Sequence, residues 1–110
     1  MTRFNVTLRV DENSRLGLLL LSGDFDYTEA GRVVESARTG LADSAVLRLV
    51  LDLRDLDFID SSGVGALVNV HRLAEATGRP VALRNVSAGT AAVLKIAAID
   101  RIFGHEPSEE

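Results

Sequence analysis

Residues 46–53 are apolar at nearly every position, and this run constrains the fold more than any other segment of the chain. A strand with one face in water alternates apolar and polar residues, whereas a strand covered on both faces is apolar throughout. We therefore expect residues 46–53 to form the central strand of a sheet, with both faces covered. A short connection, residues 54–60, leads from this strand to two consecutive serines.

The other apolar patterns predict further strands around this central one. Residues 4–10 alternate as a half-buried strand, and residues 16–22 form a leucine-rich strand that Gly23 ends. These two strands make an antiparallel hairpin. Shorter strands are expected at residues 81–83 and 101–103. The predicted order is β-β-α-β-α-β-α with a final short strand, which indicates an α/β domain built on a mixed sheet.

Three helices are predicted from capping residues and apolar spacing. The first begins after Asp26, which forms a capping box with Glu29. Its apolar stripe consists of Ala30, Val33, Val34, Ala37 and Leu41. The second helix covers residues 60–77. The third is capped by Ser87 and ends near Ala98.

Length and composition restrict the classes of function. The 110 residues are enough for one domain, which we expect to span residues 1–110. A net charge of −4 argues against nucleic acid as a partner, because a phosphate backbone needs a basic surface. The absence of cysteine excludes disulfides, thiolate metal sites and a cysteine nucleophile. Without a membrane-spanning apolar run or a signal-peptide pattern, the protein is expected in the cytoplasm and not inserted in a membrane.

The main candidate site is the start of the second helix, residues 60–65, with the sequence Asp-Ser-Ser-Gly-Val-Gly. Ser61 presents a hydroxyl where the helix dipole and the free N–H groups favour negative charge. A simpler interpretation is that Ser61 caps the helix. Gly63 and Gly65 each cost about 1 kcal/mol relative to alanine in a helix, so a compensating contact such as close approach of another backbone is expected.

The helical wheel predicts a contact surface on the same helix. Val64 and Val68 project away from the core stripe, which favours a surface for a partner. The carboxylates of Asp55, Asp57 and Asp60 precede the serines, but solvated carboxylates are common at helix starts, and no metal site is expected. Catalysis is not expected either, because the Gly-x-Ser-x-Gly elbow is absent and neither histidine is placed as a base.

Several segments together resemble the STAS domain of bacterial anti-sigma factor antagonists. They are Ser-Gly-Asp-Phe-Asp at residues 22–26, the strand at residues 46–53, the motif-bearing segment 56–67, and the stretch from residue 78 to the helix that opens at Ser87. The resemblance covers roughly residues 4–104. It implies the STAS fold, a mixed four- to five-stranded sheet covered by helices mainly on one face. The C-terminal residues 106–110 are polar and are expected to fray.

The resemblance also implies a function and a set of site residues. Ser61 corresponds to the serine that is phosphorylated in the family, and Asp60 and Asp26 correspond to acidic residues near it. The partner implied is an ATP-dependent anti-sigma factor serine kinase, which the unphosphorylated antagonist binds so that the sigma factor is freed. A PP2C-type phosphatase restores the antagonist. ATP and Mg²⁺ belong to the kinase, so this chain needs no cofactor. Together with the contact surface predicted from the helical wheel, the expected partner-binding residues are Asp26, Asp60, Ser62, Gly63, Val64, Gly65 and Val68.

Two other interpretations stay open at this point. A STAS domain can also be an accessory subunit of a membrane lipid transporter, in which case Ser61 need not be phosphorylated. Alternatively, the helix start at residues 60–65 could bind a nucleotide or another small anion. The acidic neighbours oppose the second interpretation, and so does the scarcity of lysine, since Lys95 is the only one in the chain.

Overall fold

The computed structural model describes residues 3–97, 99 and 101–106, which form one five-stranded mixed sheet and three helices. The strands are β1 (Asn5–Asp11), β2 (Leu16–Phe25), β3 (Arg48–Ile59), β4 (Val81–Arg84) and β5 (Gly104–Glu106), and they lie side by side in chain order. The helices are α1 (Ala30–Ala42), α2 (Ser61–Ala76) and α3 (Ala88–Ile96). Strand β1 is antiparallel to β2 and all other pairs are parallel, which confirms the predicted mixed α/β fold.

The hydrophobic core lies between one face of the sheet and the helices. Leu19 and Leu21 of β2 and Leu51 of β3 are buried on this face, and they form one cluster with the apolar residues of α1 and α2 and with Leu94 of α3. Gly40 lets α1 approach the sheet closely, since a Cβ there would lie 3.2 Å from Leu8. The helices thus cover one face, as the resemblance implies.

The other face of the sheet carries no helix, but residues 49–53 of β3 are buried without interruption, so the expectation that both faces of the central strand are covered is confirmed. Val50 is fully buried on this face. Ion pairs cross the face instead: Arg48 of β3 bonds Glu106 of β5, and Arg84 of β4 bonds Asp52 of β3. Long arginine side chains can shield apolar residues with their methylene groups, which explains a continuous apolar run without a second helical layer.

Strand β2 continues through Gly23 to Phe25, so Gly23 does not end it. Gly23 has a φ of +84°, and a Cβ there would lie 2.2 Å from the carbonyl oxygen of Arg3. Only glycine is compatible with both the left-handed conformation and this close approach. The glycine at position 23 therefore marks an irregularity within β2 and not the end of the strand.

Strand β3 is longer than predicted, because the expected connection at residues 54–60 is mostly strand. The pairing of β3 with β2 shifts twice along this segment. At the first shift Ser22 pairs with Asp55, whereas an unbroken register would pair it with Arg54. Such extra residues bend and twist a strand locally. They also break its apolar alternation, which is why the segment resembled a loop.

Helices α2 and α3 begin close to the predicted positions, and α1 does not. Asp60 and Ser87 cap α2 and α3, accepting hydrogen bonds from Gly63 N–H at 2.9 Å and Thr90 N–H at 3.2 Å. The predicted capping box at Asp26 is wrong, because α1 begins only at Ala30.

The C-terminal elements differ from prediction in their limits. Helix α3 ends at Ile96, and the predicted end near Ala98 lies outside the described residues. The last strand occupies residues 104–106 instead of 101–103. Phe103 is buried and meets the His71 ring edge-on, with ring centroids 5.6 Å apart. Phe103, which was expected within the last strand, therefore packs in the core and directly precedes the observed β5.

Candidate functional site

The start of α2 is held by the carboxylate of Asp60. Asp60 has an extended backbone, and its Oδ1 accepts the Gly63 N–H at 2.9 Å. Its carbonyl oxygen also accepts the Val64 N–H at 3.0 Å. Asp60 is therefore the cap, and the interpretation of Ser61 as the cap is wrong. Ser61 is the first helical residue and is exposed, which leaves its side chain accessible from solvent.

The cap at Asp60 predicts an effect on the stability of the protein that can be measured without any partner. Replacing Asp60 with alanine is expected to lower the free energy of unfolding by about 1 kcal/mol, because the Gly63 N–H loses its acceptor. Replacing it with asparagine keeps an acceptor of the same shape and should have little effect. Urea unfolding of the two variants measures the difference. Equal loss in both would show that charge, and not the cap, is what stabilises this helix start.

The end of β2 lies directly beside this helix start. Phe25 and Ile59 are paired in the sheet, and the Phe25 carbonyl accepts the Asp60 N–H at 3.2 Å. Asp26 follows Phe25 directly, so Asp26, Asp60 and Ser61 all lie within two residues of the Phe25–Ile59 pair. The structure brings these sequence-predicted residues together because parallel strands β2 and β3 end at the same edge of the sheet.

The two glycines of the motif have different environments. A Cβ on Gly63 would lie 2.7 Å from the Phe25 carbonyl oxygen and 2.8 Å from Ile59, so this position admits no side chain. The close approach of another backbone, expected from the sequence, is found at Gly63 and explains why this position is a glycine. At Gly65 a Cβ would meet nothing within 4 Å, and the position is exposed. No internal contact accounts for Gly65.

Val64 does not lie on the predicted contact surface. Only 7% of the residue is exposed, and it belongs to the same hydrophobic cluster as Phe25 and Ile59. The close approach that Gly63 permits brings the first turn of α2 onto the strand ends, so the buried arc of the helix is wider than one stripe. Gly63 is buried as well, whereas Ser62 is exposed and Val68 is half-buried.

Sequence reasoning missed two exposed aromatic residues near the site. Tyr27 is 74% exposed and follows Asp26, and Phe58 is 51% exposed on the sheet face without helices. The only signal was their position, since Phe58 lies within the motif-bearing segment 56–67 and Tyr27 directly follows the segment 22–26. The amino-acid composition does not indicate which aromatic side chains are exposed.

The surroundings of Ser61 are acidic. Asp57 is exposed, and Asp26 and Asp60 are partly exposed. Within the described residues, no three histidine, cysteine or carboxylate side chains are grouped so that they would hold a metal ion.

A buried polar network on the sheet face without helices was also missed. Asp52 Oδ2 accepts hydrogen bonds from Arg84 Nε and Nη2 at 3.1 and 3.0 Å, and both carboxylate oxygens lie within 3.2 Å of Asn85 Nδ2. Burial disfavours the charged form of Asp52, but the hydrogen bonds from the Arg54 N–H, Asn85 and Arg84 outweigh it and hold the pKa of Asp52 below its ordinary value.

The fold and this site define a small α/β domain with its helices on one face of a mixed sheet and an exposed serine at a helix start. The sequence model of the STAS domain matches residues 7–110. The chain therefore belongs to the STAS-domain family. None of the helices in residues 3–97, 99 and 101–106 is long and apolar enough to cross a membrane.

Solved structures with this fold include anti-sigma factor antagonists. One from Mycobacterium paratuberculosis is 24% identical, with a TM-score of 0.73 and coverage of 96% of this chain and 88% of that chain. The phosphorylated Bacillus cell fate determinant SpoIIAA is 22% identical, with a TM-score of 0.71 and coverage of 98% and 93%. A sulfate transporter family protein from Wolinella succinogenes is 20% identical, with a TM-score of 0.74 and coverage of 87% and 75%. At these identities the similarity establishes a shared fold.

Proposed function

We propose that this protein is an anti-sigma factor antagonist that acts in the cytoplasm and is switched off by phosphorylation of Ser61. In this proposal the unphosphorylated protein binds an ATP-dependent anti-sigma factor serine kinase and so frees the sigma factor, and a PP2C-type phosphatase reverses the modification. The protein itself catalyses no reaction. The observation that carries the proposal is the exposed Ser61 at the first position of α2, directly after the capping residue Asp60.

The geometry of the helix start suits a phosphorylated serine. A kinase must place the acceptor hydroxyl in line with the γ-phosphate of ATP, and this requires an accessible side chain on a well-positioned backbone. Asp60 and the close contact of Gly63 with Phe25 hold that backbone in place. A phosphate on Ser61 would add about −1.5 to −2 charges at the positive end of the helix, which a helix N-terminus tolerates. The fold should therefore survive phosphorylation.

The same phosphate would oppose binding to the kinase. The docked Ser61 faces the nucleotide in the kinase active site, and a phosphate dianion there would be repelled by the phosphates of the remaining nucleotide. The dianion would also lose its hydration in a closed interface. The switch thus needs no change of the domain's conformation.

The test of this proposal is affinity capture from a lysate of the native host with wild-type protein, Ser61→Ala and Ser61→Asp as baits. We expect wild type and Ser61→Ala to enrich a serine kinase of the anti-sigma type, and Ser61→Asp to bind it at least about tenfold more weakly. The purified kinase should then phosphorylate wild type and the exposed neighbour variant Ser62→Ala, but not Ser61→Ala.

Two results would contradict the proposal. One is the absence of a kinase from every bait, and the other is phosphorylation of Ser61→Ala at the wild-type rate, which would place the acceptor elsewhere. A changed circular dichroism spectrum of Ser61→Asp would contradict the specific mechanism of blocking without refolding.

A second candidate function is that of an accessory subunit of a membrane transporter. The shared fold of the Wolinella succinogenes sulfate transporter family protein favours it. In this case all three baits would recover the same transporter subunits, because the state of Ser61 would not affect the interface.

A further inference from the structure

Tyr27 is exposed but held in a defined turn. Asp26 Oδ1 accepts hydrogen bonds from the Thr28 N–H at 3.0 Å and from the Thr28 hydroxyl at 2.6 Å. The Asp26 carbonyl also accepts the Glu29 N–H at 3.1 Å. These three bonds close the turn around Tyr27, which is 74% exposed. A residue on a fixed backbone loses little conformational freedom when a partner binds it.

The position of Tyr27 relates it to the phosphorylation site. Phe25 contacts the start of α2 directly, because its carbonyl accepts the Asp60 N–H and lies against Gly63. Tyr27 follows Phe25 by two residues, and Ser61 follows its strand partner Ile59 by two residues. The turn that carries Tyr27 and the helix start that carries Ser61 therefore follow paired strand ends at the same edge of the sheet. A protein interface of ordinary size, about 800 Å² on each partner, is large enough to include both.

The charges around Tyr27 indicate the chemistry of the partner. Asp26, Asp57 and Asp60 lie within two residues of the Phe25–Ile59 pair, and we call these three carboxylates the acidic rim. The nearby Arg32 is bonded to Glu29 at 2.8 Å and lies over the Phe4 ring, so it neutralises Glu29 and not the rim. A complementary surface would carry arginine or lysine around an apolar pocket.

We infer that Tyr27 is the apolar anchor of the partner interface, and that the kinase receives it in an apolar pocket bordered by basic side chains. This inference rests on the proposed function and adds the contact that supplies binding energy. Tyrosine is prominent among such anchors because it combines a large apolar ring with a polar hydroxyl. The acidic rim orients the two proteins and accelerates their association.

The test uses the kinase that Ser61→Ala captures, in purified form, and measures its affinity for Tyr27→Ala by titration calorimetry. Leu47→Ala is the matched control, because Leu47 is 52% exposed and lies just before β3, at the opposite end of that strand from Ser61. We expect about tenfold or greater loss for Tyr27→Ala and less than about twofold for Leu47→Ala. Tyr27→Phe, which keeps the ring, should retain most of the affinity. Thermal unfolding of each variant confirms that it is folded.

The acidic rim adds a second readout. Raising the salt concentration should weaken binding by wild type and by Tyr27→Ala to a similar degree, because the rim remains in both. Asp57→Asn should reduce the association rate and the salt dependence. Wild-type affinity for Tyr27→Ala, or equal losses for Tyr27→Ala and Leu47→Ala, would overturn the inference while leaving the proposed function intact. If neither wild type nor Ser61→Ala binds a kinase, the proposed function fails and the inference fails with it.

Discussion

Replacing Asp52 with alanine is expected to lower the free energy of unfolding by about 3–5 kcal/mol, the usual cost of removing one partner from a buried ion pair. The side chains of Asp52 and Arg84 are only 8% and 10% exposed, so the guanidinium that loses this carboxylate has little access to water. Asn85 would lose its acceptor as well. Urea or guanidinium unfolding followed by circular dichroism measures the effect.

The matched control removes both charges together. Replacing Asp52 with leucine and Arg84 with methionine leaves no unpaired buried charge, and well-packed apolar residues often substitute for such a pair without loss. We expect the double variant to be close to wild type in stability, despite the large loss in Asp52→Ala. If the double variant is as unstable as Asp52→Ala, the network contributes through its geometry on the sheet and not through charge compensation.

The network also predicts how stability depends on pH. The pKa of Asp52 is lower in the folded protein than its ordinary value, so the contribution of this residue is fully present above the ordinary pKa. It is lost progressively as the pH falls below about 4 towards the folded pKa, because the carboxylate must then be protonated. Stability measured between about pH 7 and pH 3 should decline less in the double variant than in wild type. Parallel declines would assign the acid sensitivity to other carboxylates.

Alanine at Gly63 and alanine at Gly65 should have opposite effects on stability. At Gly63 the new methyl group would press against the Phe25 carbonyl and Ile59, and overpacking of this kind costs about 1–3 kcal/mol. The Phe25 oxygen belongs to the backbone and cannot move aside as a flexible side chain would. At Gly65 the methyl group has open space, and the better helix propensity of alanine should add about 0.5–1 kcal/mol.

These two glycines lie two residues apart in the same turn of α2, so each variant serves as the control for the other. Thermal unfolding of both variants under one set of conditions measures the difference. Destabilisation by Gly65→Ala would show that this glycine has an internal structural role that its open surroundings do not reveal. Stabilisation together with weaker kinase binding would show that Gly65 is kept without a side chain for the partner's approach.

The sequence by itself determined the order of the elements, and it identified the helix start that bears Ser61. This succeeded because the periodicity of apolar residues reports directly on which side of a strand or helix is buried. The cap at Ser87 was predicted correctly for a related reason, whereas Asp60 caps α2 in place of the expected Ser61. Ser87 and Asp60 each accept a bond from a backbone N–H three residues ahead, an interaction contained within one short segment.

Only the tertiary structure decided the features that depend on distant segments. Position 23 requires glycine because the carbonyl of Arg3 approaches it, although Gly23 lies within β2 and pairs with Leu56 of β3. Val64 is buried because Gly63 allows α2 to pack closely on the strand ends. Asp52 lies in an apolar run, and its charge is tolerated because Arg84, 32 residues away, lies on the neighbouring strand. Local sequence carries no record of these cross-strand neighbours, so burial, charge pairing and exposure at such positions are properties of the assembled sheet.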